Sequence, residues 1–196
     1  HILICRKFRY FTDILNLMVI DENILLTYGA MVKKFAKKEI VFSEGSTIKN
    51  YFQIRKGIVK ICNSFDDGKE YVHGFPFEGH CFGESYLYTE KPYGITAVAI
   101  AHCSILVLSK EAYLKMVRDN PEILLAVNEY TAERLHFRYF MSSFSVITDP
   151  VLKIRMLMDY IKGYFKYDEP YSFQVPFTRS NLAGLTGMRI ETVIRA

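Results

Sequence analysis

From Lys34 to Ser109 the apolar residues come in short runs separated by turn-forming residues, and Gly45, Gly57, Gly68 and Gly79 recur at nearly equal intervals. Short runs rich in β-branched and aromatic residues between such turns predict an antiparallel β-roll. The predicted strands are Ile40 to Phe42, Tyr51 to Ile54, Gly57 to Ile61, Tyr71 to Phe75, Ile95 to Ile100 and Ser104 to Leu108. Asp66-Asp67-Gly68 supplies a hairpin tip, with the glycine free to take positive φ.

After Ser109 the period changes from two to about 3.6. Ser109-Lys110-Glu111-Ala112 reads as a helix start, and Asn120-Pro121 as a stronger one, with an N-cap residue followed by proline at the first helical position. In the long helix that follows, Ile123, Val127, Tyr130, Arg134, Phe137, Met141 and Phe144 repeat at alternating spacings of four and three. Such a seam suits a parallel, coiled-coil-like dimer, and Val127, Tyr130, Arg134, Phe137 and Met141 are its expected interface. The alternative is a helix packed on its own barrel, with Leu124, Ala126 and Leu135 off the seam to do that work. Asp149-Pro150 breaks the run. Val151 to Tyr164 then carries apolar residues at helical spacing (Val151, Ile154, Leu157, Met158, Ile161), and a turn-rich stretch from Tyr167 to Pro176 follows. The expected division is 1–119, 120–149 and 150–196.

The chain of 196 residues is 50% apolar and 23% charged. That suffices for a folded core and excludes wholesale disorder. The longest uncharged stretch, Pro92 to Ser109, includes His102 and is too short and interrupted to span a membrane. Arg6, Lys7 and Arg9 interrupt the N-terminal apolar residues, so no export signal is expected, and the absence of an initiator Met leaves a native leader open. Cys5, Cys62, Cys81 and Cys103 are scattered without a CxxC pair. That argues against a zinc knuckle, an iron–sulfur loop or a disulfide framework, and for reduced thiols in the cytoplasm. The net charge of +4 permits an anionic partner. The excess is concentrated from Val151 onward, with seven basic residues against four acidic ones.

The segment from Arg179 to Arg195 has the pattern of a helix-turn-helix. Thr178 stands where it can cap the first helix, Leu182 and Leu185 face the core, and Ala183 is small where the helices cross. Gly187 falls at the turn, where glycine adopts the needed backbone cheaply. Met188 and Val193 close the core, which leaves Arg189, Ile190, Glu191, Ile194 and Arg195 for the outer face, with Arg179 and Ser180 at the start of the first helix. A recognition helix reads base edges from such positions. Lys153, Lys162, Lys166 and Arg179 are candidates for sequence-neutral phosphate contacts.

Phe82-Gly83-Glu84 within a β-roll, the long helix, and the Thr-Arg-x-x-Leu-Ala…Thr-Gly…Glu-Thr-Val-x-Arg end together resemble the Crp/Fnr superfamily of bacterial transcription regulators. The likeness runs over nearly the whole chain from about Lys34. It implies an α+β fold: an N-terminal antiparallel β-roll (jelly roll), a long dimerisation helix and a C-terminal winged helix-turn-helix, of which the wing would lie past Ala196. It further implies a cytoplasmic homodimer that binds double-stranded DNA and contacts RNA polymerase, with no membrane partner. Glu191 and Arg195 fall on the family's base-reading positions, where glutamate accepts from cytosine and arginine bonds guanine.

By the same resemblance, Gly83, Glu84, Ser85, Tyr93 and Thr96 form the effector pocket. In cyclic-nucleotide-binding members an Arg-Ser or Arg-Thr pair holds the phosphate; here those positions are Gly94 and Ile95, and Lys91 is a poor substitute for a guanidinium fork. Cyclic AMP is therefore not the expected effector. His73, His80 and Cys81 lie near the pocket by sequence, but a scattered histidine beside an aromatic-rich strand reads as structural rather than as a haem ligand. No cofactor or metal is required, and the effector is a different small molecule, in a pocket lined by Tyr86, Tyr88 and Tyr93, or absent. The rival class is a ligand-binding module acting on a protein partner, against which the C-terminal motif speaks. No nucleophile–base pair, metal-ligand spacing or nucleotide-binding loop suggests an enzyme.

Overall fold

The computed structural model describes residues 18–164, 167, 173, 175 and 177–196. Among these residues a short helix, α1 (Glu22–Thr27), precedes eight strands: β1 (Met31–Phe35), β2 (Ile40–Phe42), β3 (Asn50–Lys56), β4 (Val59–Ser64), β5 (Glu70–Gly74), β6 (Cys81–Phe82), β7 (Thr96–Ala99) and β8 (Cys103–Ser109). The helices α2 (Lys110–Asp119), α3 (Pro121–Ser142), α4 (Pro150–Tyr164), α5 (Arg179–Thr186) and α6 (Ile190–Arg195) follow. The fold is α+β, as expected.

The strands pair antiparallel, in two four-stranded sheets ordered β1-β8-β3-β6 and β2-β7-β4-β5. The run Tyr51-Phe52-Gln53-Ile54 is buried on both faces, which is why it reads as continuous rather than alternating. Phe52 and Ile54 join Phe82, Ala97 and Ile105 in the core between the sheets. Tyr51 points the other way, stacking on Tyr113 of α2 at 4.8 Å in a second core that also holds Leu106 and Met116. Gln53 is fully buried and satisfied by three hydrogen bonds: its Nε2 donates to the Ile20 carbonyl at 2.7 Å, and its Oε1 accepts from Ile20 N and from the Tyr51 hydroxyl. Residues ahead of the roll are thereby tied to its central strand.

Two strands escape the sequence pattern. β1 is an exposed edge strand whose Lys33 and Lys34 hide its character, a common protection of free edges. β6 has only two residues, paired with Phe52 and Gln53. The four regularly spaced glycines all take positive φ, between +77° and +105°.

The helix starts fall as expected, with one reassignment of a side chain. Ser109 caps α2 by accepting from Ala112 N at 3.2 Å. Asn120 precedes Pro121 but does not cap α3; its Nδ2 donates to the Met116 carbonyl and the Tyr28 hydroxyl, closing the end of α2 instead. After α3 a 3-10 turn covers Ser143–Ser145, and Asp149 then accepts from Val151 N at the start of α4. A third core joins Cys62 and Val72 of the roll to Met141 and Phe144, to Leu157 and Ile161 of α4, and to Leu182, Leu185 and Val193 of the last two helices.

Gly57 packs tightly against backbone in a left-handed conformation. At φ +105°, a Cβ placed there would lie 2.7 Å from Cys103 Sγ and 2.8 Å from the His102 carbonyl. Gly57→Ala is expected to cost about 2–4 kcal/mol in urea denaturation, combining backbone strain with overpacking. Gly45 has φ +77° and open space around it. Gly45→Ala should therefore cost only about 1–2 kcal/mol. Equal losses would show that the close approach at Gly57 is not limiting.

Candidate functional site

Gly83 takes a left-handed φ of +75° and turns the chain into a 3-10 helix, Glu84–Tyr88, whose start no side chain caps. Glu84 is only 1% exposed, and its carboxylate is claimed from elsewhere. Oε1 accepts from Arg134 Nη1 at 2.7 Å and from Thr131 Oγ1 at 3.1 Å, both on α3. Arg134 also donates to the Cys81 carbonyl at 3.4 Å. Oε2 has no hydrogen-bond partner among the described residues. Burial works against the charged guanidinium of Arg134, but Glu84 and Tyr130 outweigh it and raise the pKa, so the ion pair persists.

This pair decides which way α3 faces. Val127 and Met141, expected at a dimer seam, are buried in the chain's own cores, and Tyr130 and Phe137 pack against those same cores. Arg134 serves Glu84. In this single chain the expected interface faces the roll and the C-terminal helices, while Leu124, Ala126 and Leu135, offered as the roll-facing set, are exposed. Apolar residues occur on both sides of α3, so the period alone did not distinguish them; the buried carboxylate did.

Two adjoining cavities lie between the roll and the helices. One is bounded by Gly83, Ser85 and Tyr86 of the roll and by Arg138 and Ser142 of α3. The other, of about 200 Å³, extends past Phe75, Phe77 and Phe137 to Ile161 of α4 and Leu185 of α5. His73, Ile95, Arg134 and Arg138 line both. Of the expected pocket residues, Gly83 and Ser85 line the first cavity, and Glu84 stands behind it on Arg134. Tyr93 and Thr96 do not line either one. Tyr93 is core, stacked on Phe42 at 3.9 Å, and Thr96 Oγ1 accepts from Glu44 N. Tyr88 and Lys91 also lie outside the linings, the former hydrogen-bonding the Tyr113 hydroxyl at 3.0 Å.

Arg138 was missed in the sequence, although it lies four residues after Arg134 and so on the same helix face. It donates to His73 Nδ1, which leaves His73 Nε2–H to donate to Asn63 Oδ1 and fixes the neutral tautomer. Burial, together with the Arg138 charge, pushes the His73 pKa down to about 4. His80 packs between Phe77 and Tyr130, and burial, with Arg134 beside it, pushes its pKa down to about 3. Both ring nitrogens of His73 are engaged in hydrogen bonds, and no group of three or more His, Cys, Asp or Glu side chains among the described residues is placed to hold a metal. Cys62, Cys81 and Cys103 are buried thiols rather than disulfides.

The helix-turn-helix forms as its residues predict. Thr178 Oγ1 accepts from Asn181 N at 3.2 Å, Gly187 ends α5 at φ +67°, and Leu182, Ala183, Leu185 and Val193 are buried. Arg179, Ser180, Arg189, Ile190, Glu191, Ile194 and Arg195 are all exposed. None of the three arginines pairs with a carboxylate side chain among the described residues. Lys162 is exposed and Lys153 partly so; Lys166 lies outside the described residues. Among those residues, no helix is long and apolar enough to cross a membrane.

A double-sheet roll, a helix anchored to it by a buried ion pair, and a helix-turn-helix beyond define a regulator type of architecture. Residues 32–120 match the family model of the cyclic nucleotide-binding domain. Among curated proteins, the cAMP-activated global transcriptional regulator CRP of Haemophilus influenzae is 26% identical over 164 residues, 83% of this chain and 73% of that protein. Solved structures with the same fold include CLP, the c-di-GMP responsive global regulator of Xanthomonas campestris (TM-score 0.71, 21% identity, 89% of each chain). A CooA mutant from Carboxydothermus hydrogenoformans aligns with TM-score 0.73 and 16% identity over 93% of this chain and 80% of that one. Over most of its length the chain is thus similar to transcription regulators of the Crp/Fnr type, and residues 32–120 match their cyclic nucleotide-binding domain.

The neutral histidines make stability sensitive to acid. In the unfolded chain a histidine takes up its proton near pH ~6.5. In the folded protein His80 does not do so until about pH 3. Its contribution is thus complete above the unfolded value and is lost progressively as pH falls toward the folded one. Denaturation across the range from neutral to mildly acid pH should show a His80→Phe variant with a stability slope shallower by up to about 1.4 kcal/mol per pH unit. Parallel slopes would place the His80 proton outside the folding equilibrium.

Proposed function

We propose that this protein is a sequence-specific DNA-binding transcription regulator that acts as a cytoplasmic homodimer, with RNA polymerase as a further partner implied by its family. The observation that carries the reading is the exposed basic face of α5 and α6 over a closed apolar core. In this reading 1–119 senses, 120–149 dimerises and 150–196 reads DNA, and the protein is not an enzyme. Cyclic AMP is not its effector: the roll offers Gly94 and Ile95 where binding members offer a phosphate-holding pair, and the Tyr86 hydroxyl lies 3.1 Å from where a Gly94 Cβ would stand.

The dimer forms through the outer face of α3. Leu125, Asn128, Ala132, Leu135 and Tyr139 are exposed at alternating spacings of three and four, a seam that two parallel helices share, with the asparagine able to fix register. Leu125 is 69% and Tyr139 67% exposed in the single chain, which is unusual for large apolar side chains on one stripe.

Two measurements test the reading. Leu125→Glu with Leu135→Glu should convert a dimer into a folded monomer in sedimentation; an unchanged profile would remove this seam. Selection from random duplexes should return an inverted repeat with half-sites one helical turn apart, ~34–36 Å. Arg195→Ala should then weaken that site by ~1–3 kcal/mol while leaving random DNA nearly unaffected. Equal loss on both would make Arg195 a backbone contact.

A further inference from the structure

We propose that the joined cavities bind a monoanion with an apolar body, its charged head on Arg138 and its body between the roll and the DNA-reading helices. This rests on reading the protein as a ligand-responsive regulator, and names the chemical class of the ligand.

Arg134 and Arg138 line the same space from successive turns of α3, but their charges are treated differently. Glu84 neutralises Arg134. Arg138 has no carboxylate partner among the described residues, and the group it donates to, His73, is held neutral. Glu133, which also lines the apolar cavity, is exposed and makes no ion pair with Arg138. Burial pushes the Arg138 pKa down to about 10, the mark of a cation in want of a counter-charge. An anion seated there gains a charge-assisted, fork-shaped contact that water supplies poorly in a confined space.

The space beyond suits hydrocarbon. Its walls include Phe75, Phe137, Ile161 and Leu185, and Ile95 forms the wall shared by both cavities. The apolar cavity, at about 200 Å³, exceeds the ~150 Å³ that accommodates a benzene ring. A sugar would strand its hydroxyls against these walls at the cost of unmade hydrogen bonds. The cation that clamps phosphate from the roll in cyclic-nucleotide-binding members is thus replaced by one that reaches in from the helix, above an apolar floor.

The same occupant would touch α4 and α5. The first helix of the DNA-reading pair is docked on the roll: a Cβ on Gly184 would lie 2.5 Å from Val72 Cγ2 of β5. A ligand whose body packs on Ile161 and Leu185 binds with different affinity when those helices stay or move, which is the requirement for shifting their position.

Calorimetry with octanoate and 3-phenylpropionate, each against its neutral amide, tests the proposal on the whole protein. Each carboxylate should bind one per chain about tenfold or more tightly than its amide. Arg138→Met should abolish that preference while leaving amide binding within about threefold, Arg138→Lys should keep part of it, and Ile95→Trp should block both ligands by filling the shared wall. A tighter fit for octanoate or for 3-phenylpropionate tells an aliphatic from an aromatic body. The proposal is overturned if no carboxylate binds, if the amides bind as tightly, or if the preference survives Arg138→Met. DNA binding, measured separately, keeps the two readings apart: duplex binding without carboxylate binding rejects this inference alone, and carboxylate binding without duplex binding supports it while rejecting the regulator.

Discussion

A carboxylate shut away from solvent must find a cation, and Glu84 finds Arg134. Hydrogen bonds from Arg134 at 2.7 Å and Thr131 at 3.1 Å join the 3-10 turn of the roll to the middle of a 22-residue helix and hold that face of the helix inward. Breaking such a pair by removing one partner typically costs about 3–5 kcal/mol, because the other charge stays buried. The geometry is therefore strongly enforced. With Arg134 turned inward, Val127 and Met141 are carried into the cores, Arg138 is carried into the cavity, and Leu125, Leu135 and Tyr139 are left outside.

The roll and the C-terminal helices are not joined only by a hinge. Cys62 and Val72 of the roll share a core with Met141, Leu157, Leu182 and Val193, so helices of the C-terminal segment complete the burial of a sheet face. Gly184 allows the contact to be this close, since any side chain there would collide with Val72. The apolar cavity lies at this junction, which makes its contents relevant to both parts. Neutral His73 and His80 belong to the same design. Two imidazoles beside two guanidinium groups avoid adding charge where it would be costly.

Much of this was legible from residue order. The roll announced itself through glycines at nearly equal intervals, because each connection needs a positive φ that other residues adopt at a cost. Ser109 and Pro121 marked helix starts and Asp149-Pro150 a break between helices, because their backbone chemistry is local. The helix-turn-helix was legible residue by residue, from the Thr178 cap through Gly187 to buried Val193, for the same reason: every constraint lies within a few residues. β1 was hidden because its exposed edge selects for lysine rather than for alternation.

What the tertiary structure alone decided was which of two equally periodic faces of α3 looks inward. An amphipathic period assigns residues to a stripe, but not the stripe to a partner, and both stripes of this helix carry apolar residues. The choice was made by Glu84, far away in sequence, whose burial requires Arg134. The cavity was decided in the same way. Tyr93 and Thr96 stand near the family's pocket in sequence yet serve the core and the Glu44 backbone, whereas Arg138 and His73, distant along the chain, meet only when the helix lies on the roll. Local chemistry determined the elements and the exposed basic face of the last two helices; long-range electrostatics determined how the elements face one another, and so where the cavities open and which stripe of α3 is left exposed.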